Sequence, residues 1–301
     1  FSLGDNIKIR GEFKEGLNYE KGLIGSFLIE ESEKMRNDLI SKIYRLRETI
    51  FTGIKEKIGT RRAAIITSIS FGYTEMLDEE DTENMKNLGI LHAVSVSGLH
   101  MVIIYSLLKK IAGENLARIL SGFYVIFTGA ALSTIRSYIM LFITSLSKNV
   151  RRDYNPLAGL SLAGIIIIFI RPNSIFDVGF QLSFLATLSI ILFNKKLNRY
   201  LYKLHKYLRE NLAICLSAQI LTFPVLIITF RELSLGFLLG NLLLIPIINV
   251  IVITGNILVL IFPFRAIFSY VIFINYYLTR ILDSLTNILL NISIDTMNLN
   301  S

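Results

Sequence analysis

Tryptophan is absent from this sequence, and cysteine, histidine and proline are rare: 301 residues contain one Cys, three His and five Pro. The single Cys215 cannot form a disulfide within the chain, so cysteine usage does not indicate a compartment. The chain also lacks a G-x-x-x-x-G-K-[ST] phosphate loop and any group of His and Asp at metal-ligand spacing. These absences predict no catalytic residue, no metal site and no cofactor in this span.

Long apolar runs are abundant, by contrast. Hydrophobic residues make up 52% of the chain, and the mean hydropathy is +0.56. Runs of about 15–22 apolar residues match the roughly 30 Å of a bilayer's hydrocarbon core. They predict an all-α polytopic membrane protein, a multi-helix transmembrane bundle with some broken or re-entrant helices at Pro224 and Pro246. The predicted runs are 90–108, 116–134, 135–147, 157–170, 178–193, 211–230, 233–247, 248–262 and 266–292, the last in one piece or two.

The N-terminal part has a different pattern. Ile7, Ile9 and Phe13 alternate with charged residues, which predicts strands of a small β-structure over residues 1–30. Residues 31–89 carry apolar side chains at helical spacing with a basic polar face, and they predict amphipathic helices at the membrane surface. Residues 90–294 would form the transmembrane domain and residues 295–301 a tail.

The formal net charge of +8 is explained by basic segments between alternate runs. If every run spans, the positive-inside rule puts these segments in the cytoplasm and residues 1–89 on the extracytoplasmic side. That topology requires an earlier membrane segment, so we expect the chain to be part of a longer protein. The longest basic segment, predicted as a cytoplasmic loop, contains Lys195, Lys196, Arg199, Lys203, Lys206 and Arg209.

One apolar run begins with an unusually polar stretch, "LHAVSVSGLHMVII", residues 91–104. On a straight helix His92, Ser95 and Gly98 would share a face, while Ser97 and His100 fall on another. Such a helix is buried, lines a hydrated path, or unwinds near Gly98. Small residues also permit close helix packing, which is an alternative explanation for the serines and the glycine. Histidines within spans more often mark a pathway or a buried pair.

Two further hypotheses for this stretch, a catalytic serine and a metal site, have less support than a hydrated path or helix packing. A nucleophilic serine needs a base, an orienting partner and an oxyanion hole, and Ser97 with His100 on one turn offers no oxyanion arrangement. A metal site would need two His four residues apart with a carboxylate, whereas His92 and His100 are eight residues apart.

Other polar groups interrupt the later runs, and acidic residues are scarce there. Between residues 90 and 294 the acids are Glu114, Asp153, Asp177, Glu210, Glu232 and Asp283. An interior short of negative charge suits an anion better than a cation. The predicted hydrated interior is lined by His92, Ser95, Ser97, Gly98, His100, Ser133, Arg136, Asp177, Gln181, Ser183, Gln219 and Asn241.

At this point the sequence resembles a known family. "LHAVSVSGLHMVII", the block at residues 155–191 with "GFQLSF", "SAQILTFPVL" and "GNLLLIP" resemble, in order, blocks of the ComEC-type competence proteins. "GDNIKIRGEF" resembles the end of the extracellular OB-fold of that family. Around Ser133 and Arg136 this chain departs from the family pattern, because Leu132 stands where Pro is usual and Ser137 where Ala is usual.

The resemblance implies a channel in the bacterial inner membrane that imports single-stranded DNA during natural transformation, with membrane lipid around it. It implies partners as well: an extracellular DNA receptor, a cytoplasmic ATPase or helicase, and single-strand-binding proteins. A separate nuclease domain of the metallo-β-lactamase type, found in many members, would lie outside this span. Two alternatives stay open: a secondary transporter or exporter of a small anion, and a membrane enzyme acting on a polyanionic polymer.

Overall fold

The computed structural model describes residues 7–18, 23–34, 39–94, 96–149, 155–230, 232–233, 236–291 and 297–298. The chain divides into two compact units, Phe1–Gly53 and Ile54–Ser301, and the division falls within one helix. The strands and helices of each unit follow separately below.

The first unit contains an antiparallel pair of strands, β1 (Ile7–Asn18) and β2 (Leu23–Lys34). Phe13 pairs with Phe27, and the register shifts between Arg10 and Gly11 and again between Glu15 and Asn18. The alternation of apolar and charged residues predicted strands here. The helix α1 (Leu39–Ile58) follows and continues into the second unit.

The second unit is a helical bundle, as the apolar runs predicted. Its helices are α2 (Thr60–Phe71), α3 (Glu79–Asn87), α4 (Gly98–Phe127), α5 (Leu132–Asn149), α6 (Pro156–Ile170), α7 (Val178–Tyr200), α8 (Lys206–Phe230), α9 (Phe237–Leu243), α10 (Ile245–Ile261) and α11 (Arg265–Asn291). Two short strands, β3 (Glu232–Leu233) and β4 (Met297–Asn298), pair with each other.

The chain of helix α4 folds back on itself. Gly113 interrupts it with φ 80° and ψ 170°, a conformation that glycine adopts without strain. In a straight helix His100 and Tyr124 would be about 36 Å apart. Instead their side chains donate to the carbonyl oxygens of two consecutive residues, Ile69 and Ser70. The helix is therefore a hairpin.

Two arms form this hairpin, a first arm of residues 98–112 and a second arm of residues 114–127. They share one apolar cluster, which includes Met101 and Val125. The two arms correspond to two separate predicted runs, but the second run was placed too far along the chain. The second arm ends at Phe127, and Gly129 and Ala130 make the turn into α5 with positive φ.

Helix α2 lies in the core of the second unit. Every residue from Ala63 to Phe71 is buried. Its Ile65 and Ile69 join an apolar cluster with residues of α10 and α11, including Ile248 and Leu282. The amphipathic surface helix predicted over residues 31–89 is therefore wrong for this segment, because α2 is surrounded by the bundle.

By length and composition alone, three helical stretches in the described part of the chain could cross a membrane: Leu91–Phe127, Val178–Tyr200 and Lys206–Thr229. The first of these contains both arms of the α4 hairpin, so its full length does not form one straight span. A fourth is possible if α9 and α10, bent by 48° at Leu244, count as one span. The predicted break at Pro246 is shifted, since Pro246 occupies the first turn of α10, where proline is well tolerated.

The break predicted at Pro224 is absent, because α8 continues through this residue to Phe230. A proline inside a membrane helix is tolerated when neighbouring groups satisfy the backbone it frees. The final run, which could have been two pieces, is the single helix α11.

Candidate functional site

The polar stretch at residues 91–104 leads into the start of a helix and does not form one face of it. His92 lies in a 3-10 turn, Leu91–Ala93, and α4 begins only at Gly98. The straight helix that would have grouped His92 with Gly98 is therefore wrong, and the chain is unwound before Gly98. Ser95 lies outside the described residues.

His100 closes the first turn of α4 together with Ser97, the N-cap residue. The backbone N–H of Ser97 donates to Nδ1 of His100 at 3.1 Å, and the Ser97 hydroxyl lies 2.9 Å from the same nitrogen. Nε2 of His100 lies 2.8 Å from the carbonyl oxygen of Ile69, which can only accept. The hydrogen bonds thus require a neutral imidazole with its proton on Nε2.

The buried C-terminal end of α2 is satisfied by side chains from three directions. His100 donates to the carbonyl oxygen of Ile69, and both Tyr124 and Asn256 donate to that of Ser70, each at 2.9 Å. The last carbonyl groups of a helix have no partners within it. These side chains provide hydrogen-bond partners for the carbonyl groups where water is excluded. His100 therefore has a structural role at the end of α2.

Gly98 permits the start of α4 to touch α5. A Cβ at this position would lie 2.8 Å from Oγ of Ser137 and 3.8 Å from Nη2 of Arg136. The hydroxyl of Ser133 donates to the carbonyl oxygen of Val96 at 3.2 Å. Ser137, which departs from the family pattern, therefore packs directly on the glycine of the polar stretch.

Arg136 is the most unusual group in this region, because its charge is buried without a counter-charge among the described residues. Only 8% of the residue is exposed. Its Nε donates to Ser183 at 2.9 Å, its Nη1 to Thr187 at 2.7 Å and to the Met140 sulfur at 3.6 Å, and it lies 5.8 Å from the Phe184 ring centroid. No carboxylate within the described residues forms an ion pair with it.

We call the group formed by Gly98, Ser133, Arg136, Ser137 and Ser183 the arginine niche. It joins the N-terminal turns of α4 and α5 to the second turn of α7. The N-terminal turn of a helix presents unpaired N–H groups and a partial positive charge. A guanidinium beside it makes the niche suited to an anion.

A recess of about 350 Å³ opens beside this niche. It is lined by Leu132, Arg171, Pro172, Asn173, Ser174 and Asp177. Leu132 precedes Arg136 by one helical turn, about 6 Å along α5. The recess therefore lies one turn from the niche, at the same end of the bundle.

The remaining predicted residues do not join the niche. Asp177 caps α7, with its Oδ1 accepting from the Phe180 N–H at 2.7 Å. Gln181 donates to the Ile175 carbonyl oxygen at 2.8 Å. Gln219 and Asn241 bond within their own helices, to Thr222 and Phe237 respectively.

The basic segment is not the loop that the sequence predicted. Lys195, Lys196 and Arg199 lie in the last two turns of α7, and Lys206 and Arg209 lie in the first turn of α8. Only Lys203 lies in the turn between the helices. The helix continues because Asn, Lys, Leu and Arg are acceptable helix residues, and basic side chains favour a helix C-terminus.

Sequence reasoning missed several residues that build the site. Thr187 could have been found, since it lies one turn after Ser183 on the same face of α7. Tyr124 and Asn256 could not, because no pattern in the sequence shows that they meet the end of α2. In the described part of the chain, no group of three or more His, Cys, Asp or Glu side chains could hold a metal ion.

The family model described as "Competence protein" matches residues 69–301. ComE operon protein 3 of Bacillus subtilis is 25% identical over 223 residues, covering 71% of this chain and 28% of that protein. No solved structure matches the chain.

Two further relatives are similar at comparable identity. Uncharacterized protein MG316 of Mycoplasma genitalium is 28% identical over 187 residues, covering 56% of this chain and 48% of that protein. An uncharacterized protein of Aquifex aeolicus is 29% identical over 154 residues, covering 49% of this chain and 37% of that protein. The aligned part is thus less than half the length of each of these relatives.

Proposed function

The chain belongs to the competence protein family, and we propose that its helical bundle forms part of a path by which single-stranded DNA enters the cytoplasm. The arginine niche is the proposed point at which a phosphate of the strand is bound in passing. In this proposal the bundle, which includes the buried helix α2, lies in the bacterial inner membrane, and the rest of residues 1–89 faces the extracytoplasmic side.

One observation carries the proposal: Arg136 is a buried cation whose partners among the described residues are hydroxyls, a thioether and an aromatic ring. Burying a charge without a counter-charge is costly, and a protein usually pairs it. A passing phosphate would provide the missing charge, and guanidinium is well matched to phosphate geometry. The adjacent N-terminal turn of α4 adds further N–H donors.

The groups at the two ends of the bundle support an assignment of which end faces the cytoplasm. Glu114 accepts hydrogen bonds from Lys109 and Ser145, so the turn of the α4 hairpin lies at the C-terminal end of α5. Leu132 and the recess lie at the other end of α5. Under the positive-inside rule the basic hairpin turn is cytoplasmic, and the recess opens outward.

Moving a phosphate toward a negative interior costs about 2.3 kcal/mol per charge per 100 mV. The sequence has no phosphate loop with which to hydrolyse a nucleotide. The drive would come from a partner: a cytoplasmic ATPase or helicase pulling the strand, with single-strand-binding proteins retaining it and an extracellular receptor delivering it.

Replacing Arg136 tests the proposal. With R136Q in the full-length protein, we expect DNA bound at the cell surface to remain while internalised label falls at least ~10-fold, since one good charged contact is worth more than ~1.4 kcal/mol. The measurement is nuclease-resistant uptake of labelled DNA, normalised to the amount of protein in the membrane fraction.

A matched pair of threonine variants gives the control. Thr187 contacts Arg136, whereas Thr279 is buried in α11 and donates to the Tyr276 carbonyl oxygen of its own helix. T187V is expected to lower uptake and T279V to leave it unchanged. Normal uptake by R136Q protein at normal abundance would remove Arg136 from the path.

A second candidate function, transport of a small anion, is favoured by the 48° bend between α9 and α10. Discontinuous helices frequently form the substrate sites of secondary transporters. This candidate predicts that R136Q abolishes uptake of a small anion such as phosphate into proteoliposomes. The DNA proposal predicts no phosphate uptake by either form.

A further inference from the structure

A second cationic region lies far from the arginine niche, at the tip of the α7–α8 hairpin. The segment 194–211 has six basic residues and one acid, Glu210, which gives a formal charge of +5 with His205 neutral. Three tyrosines, Tyr200, Tyr202 and Tyr207, are interleaved with these basic residues. We call the nine side chains the tyrosine-basic tip.

The tyrosines of the tip are strongly exposed. Tyr200 is 81% exposed, Tyr202 65% and Tyr207 53%. The ammonium group of Lys203 lies 6.0 Å from the centre of the Tyr202 ring. Exposed aromatic rings among cations are the two components of sites for single-stranded nucleic acid, in which bases stack on rings and cations neutralise phosphates.

The hairpin also carries the tip away from the apolar part of the bundle. The hydroxyl of Ser189 bonds the backbone of α8, accepting from the Leu221 N–H at 3.3 Å, which shows that the helices run antiparallel. Helices α7 and α8, of 23 and 25 residues, are about 34 and 37 Å long, which exceeds the roughly 30 Å of hydrocarbon.

A membrane-anchoring role for the tyrosines fits this length poorly. The apolar run of α7 ends at Phe193, and Tyr200 lies about 10 Å further along the axis. The polar layer on each side of the hydrocarbon is only about 5–8 Å thick. Tyrosines of an aromatic belt lie within that layer, whereas Tyr200 lies beyond its outer limit.

We propose that the tyrosine-basic tip is a binding site for single-stranded nucleic acid, in which bases stack on Tyr200, Tyr202 and Tyr207 while the surrounding cations contact phosphates. The tip lies on the cytoplasmic side if the proposed function holds, and there it would receive the emerging strand. The binding itself does not depend on the arginine niche.

Binding can be measured with the full chain in nanodiscs of neutral phosphatidylcholine and a fluorescent 20-nucleotide dT strand. The triple variant Y200L/Y202L/Y207L keeps apolar side chains but removes the aromatic faces, and we expect its affinity to fall at least ~10-fold. The variant K195Q/K196Q should flatten the salt dependence of log K by about 1.4, or about 0.7 for each phosphate that is no longer neutralised.

Tyr270 provides the matched control, because it is 68% exposed on α11, outside the tip. Y270L should bind the strand as the unaltered chain does. Iodination of tyrosines by lactoperoxidase, an enzyme too large to enter the bilayer, read by mass spectrometry, should modify the three tip tyrosines in nanodiscs, and added dT strand should protect them. Tip tyrosines already shielded by the bilayer would instead identify a lipid anchor and overturn the proposal.

The two proposals can fail separately. Unchanged affinity in the triple tyrosine variant overturns the tip as a stacking site, whatever R136Q does to uptake. The niche is tested by cellular uptake with R136Q, and the tip is tested by binding of the dT strand with the tyrosine variant. If R136Q leaves cellular uptake intact while the tyrosine variant loses binding, the niche is rejected and the tip stands.

Discussion

Two groups of buried polar side chains lie close together in this protein, and they differ in whether their partners are complete. Around the end of α2, donors from α4 and α10 match the carbonyl oxygens of Ile69 and Ser70. In the arginine niche a full positive charge has only neutral partners among the residues that the structure describes. The polar groups at the end of α2 therefore complete the fold, whereas the charge of Arg136 is not matched within this part of the chain.

The largest expected loss of stability comes from removing a donor at the end of α2. H100L should lower the free energy of unfolding by about 3 kcal/mol, because it leaves the Ile69 carbonyl oxygen and the Ser97 N–H buried without partners. H92L should lower the free energy of unfolding much less, since His92 is exposed in a 3-10 turn. Unfolding by SDS titration in detergent micelles measures both losses. Equal losses would contradict the structural role that we assign to His100 alone.

A smaller effect should appear when the two donors to Ser70 are removed in turn. Y124F and N256L each leave the other donor in place, so each should cost about 1 kcal/mol or less. The double variant should cost about 1–2 kcal/mol more than the sum, because the carbonyl oxygen is then unpaired. If the loss in the double variant equals the sum of the two single losses in the same titration, the two donors do not substitute for each other at the Ser70 carbonyl oxygen.

The smallest effect on stability is expected for the incomplete group. R136M should leave the free energy of unfolding unchanged or raise it by up to ~1 kcal/mol, since an apolar side chain replaces a charge that has no counter-charge within the described part of the chain. R136M should still lose DNA uptake as R136Q does. A destabilisation comparable to that of H100L would assign Arg136 to the scaffold.

The sequence predicted the helical membrane architecture because apolar runs of this length match the thickness of the bilayer's hydrocarbon core. It also predicted that residues 91–104 cannot be an ordinary lipid-facing helix. Gly98, Ser133, Arg136 and Ser183 were all named from the sequence, and the fold brings these four together. Their roles in transport stay predictions.

What the sequence could not provide is the partner of each polar group. A histidine at position 100 looks the same in the sequence whether it lines a hydrated path or bonds the end of another helix. Only the position of Ile69 in the fold distinguishes these two roles. Periodicity also could not locate the break before Gly98, because an unwound segment and a helix have the same apolar residues. Pro224 misled for a similar reason, since membrane helices accommodate proline.

The glycine turn of α4 has a consequence for the surrounding lipid. Arms of 15 and 14 residues reach only about 22 and 21 Å, roughly 8 Å short of the hydrocarbon thickness. A bilayer meets such a mismatch by thinning locally or by letting headgroups and water descend to the helix ends. The membrane beside this hairpin would then be locally thin, and under the proposed function this would shorten the hydrocarbon distance that the strand crosses.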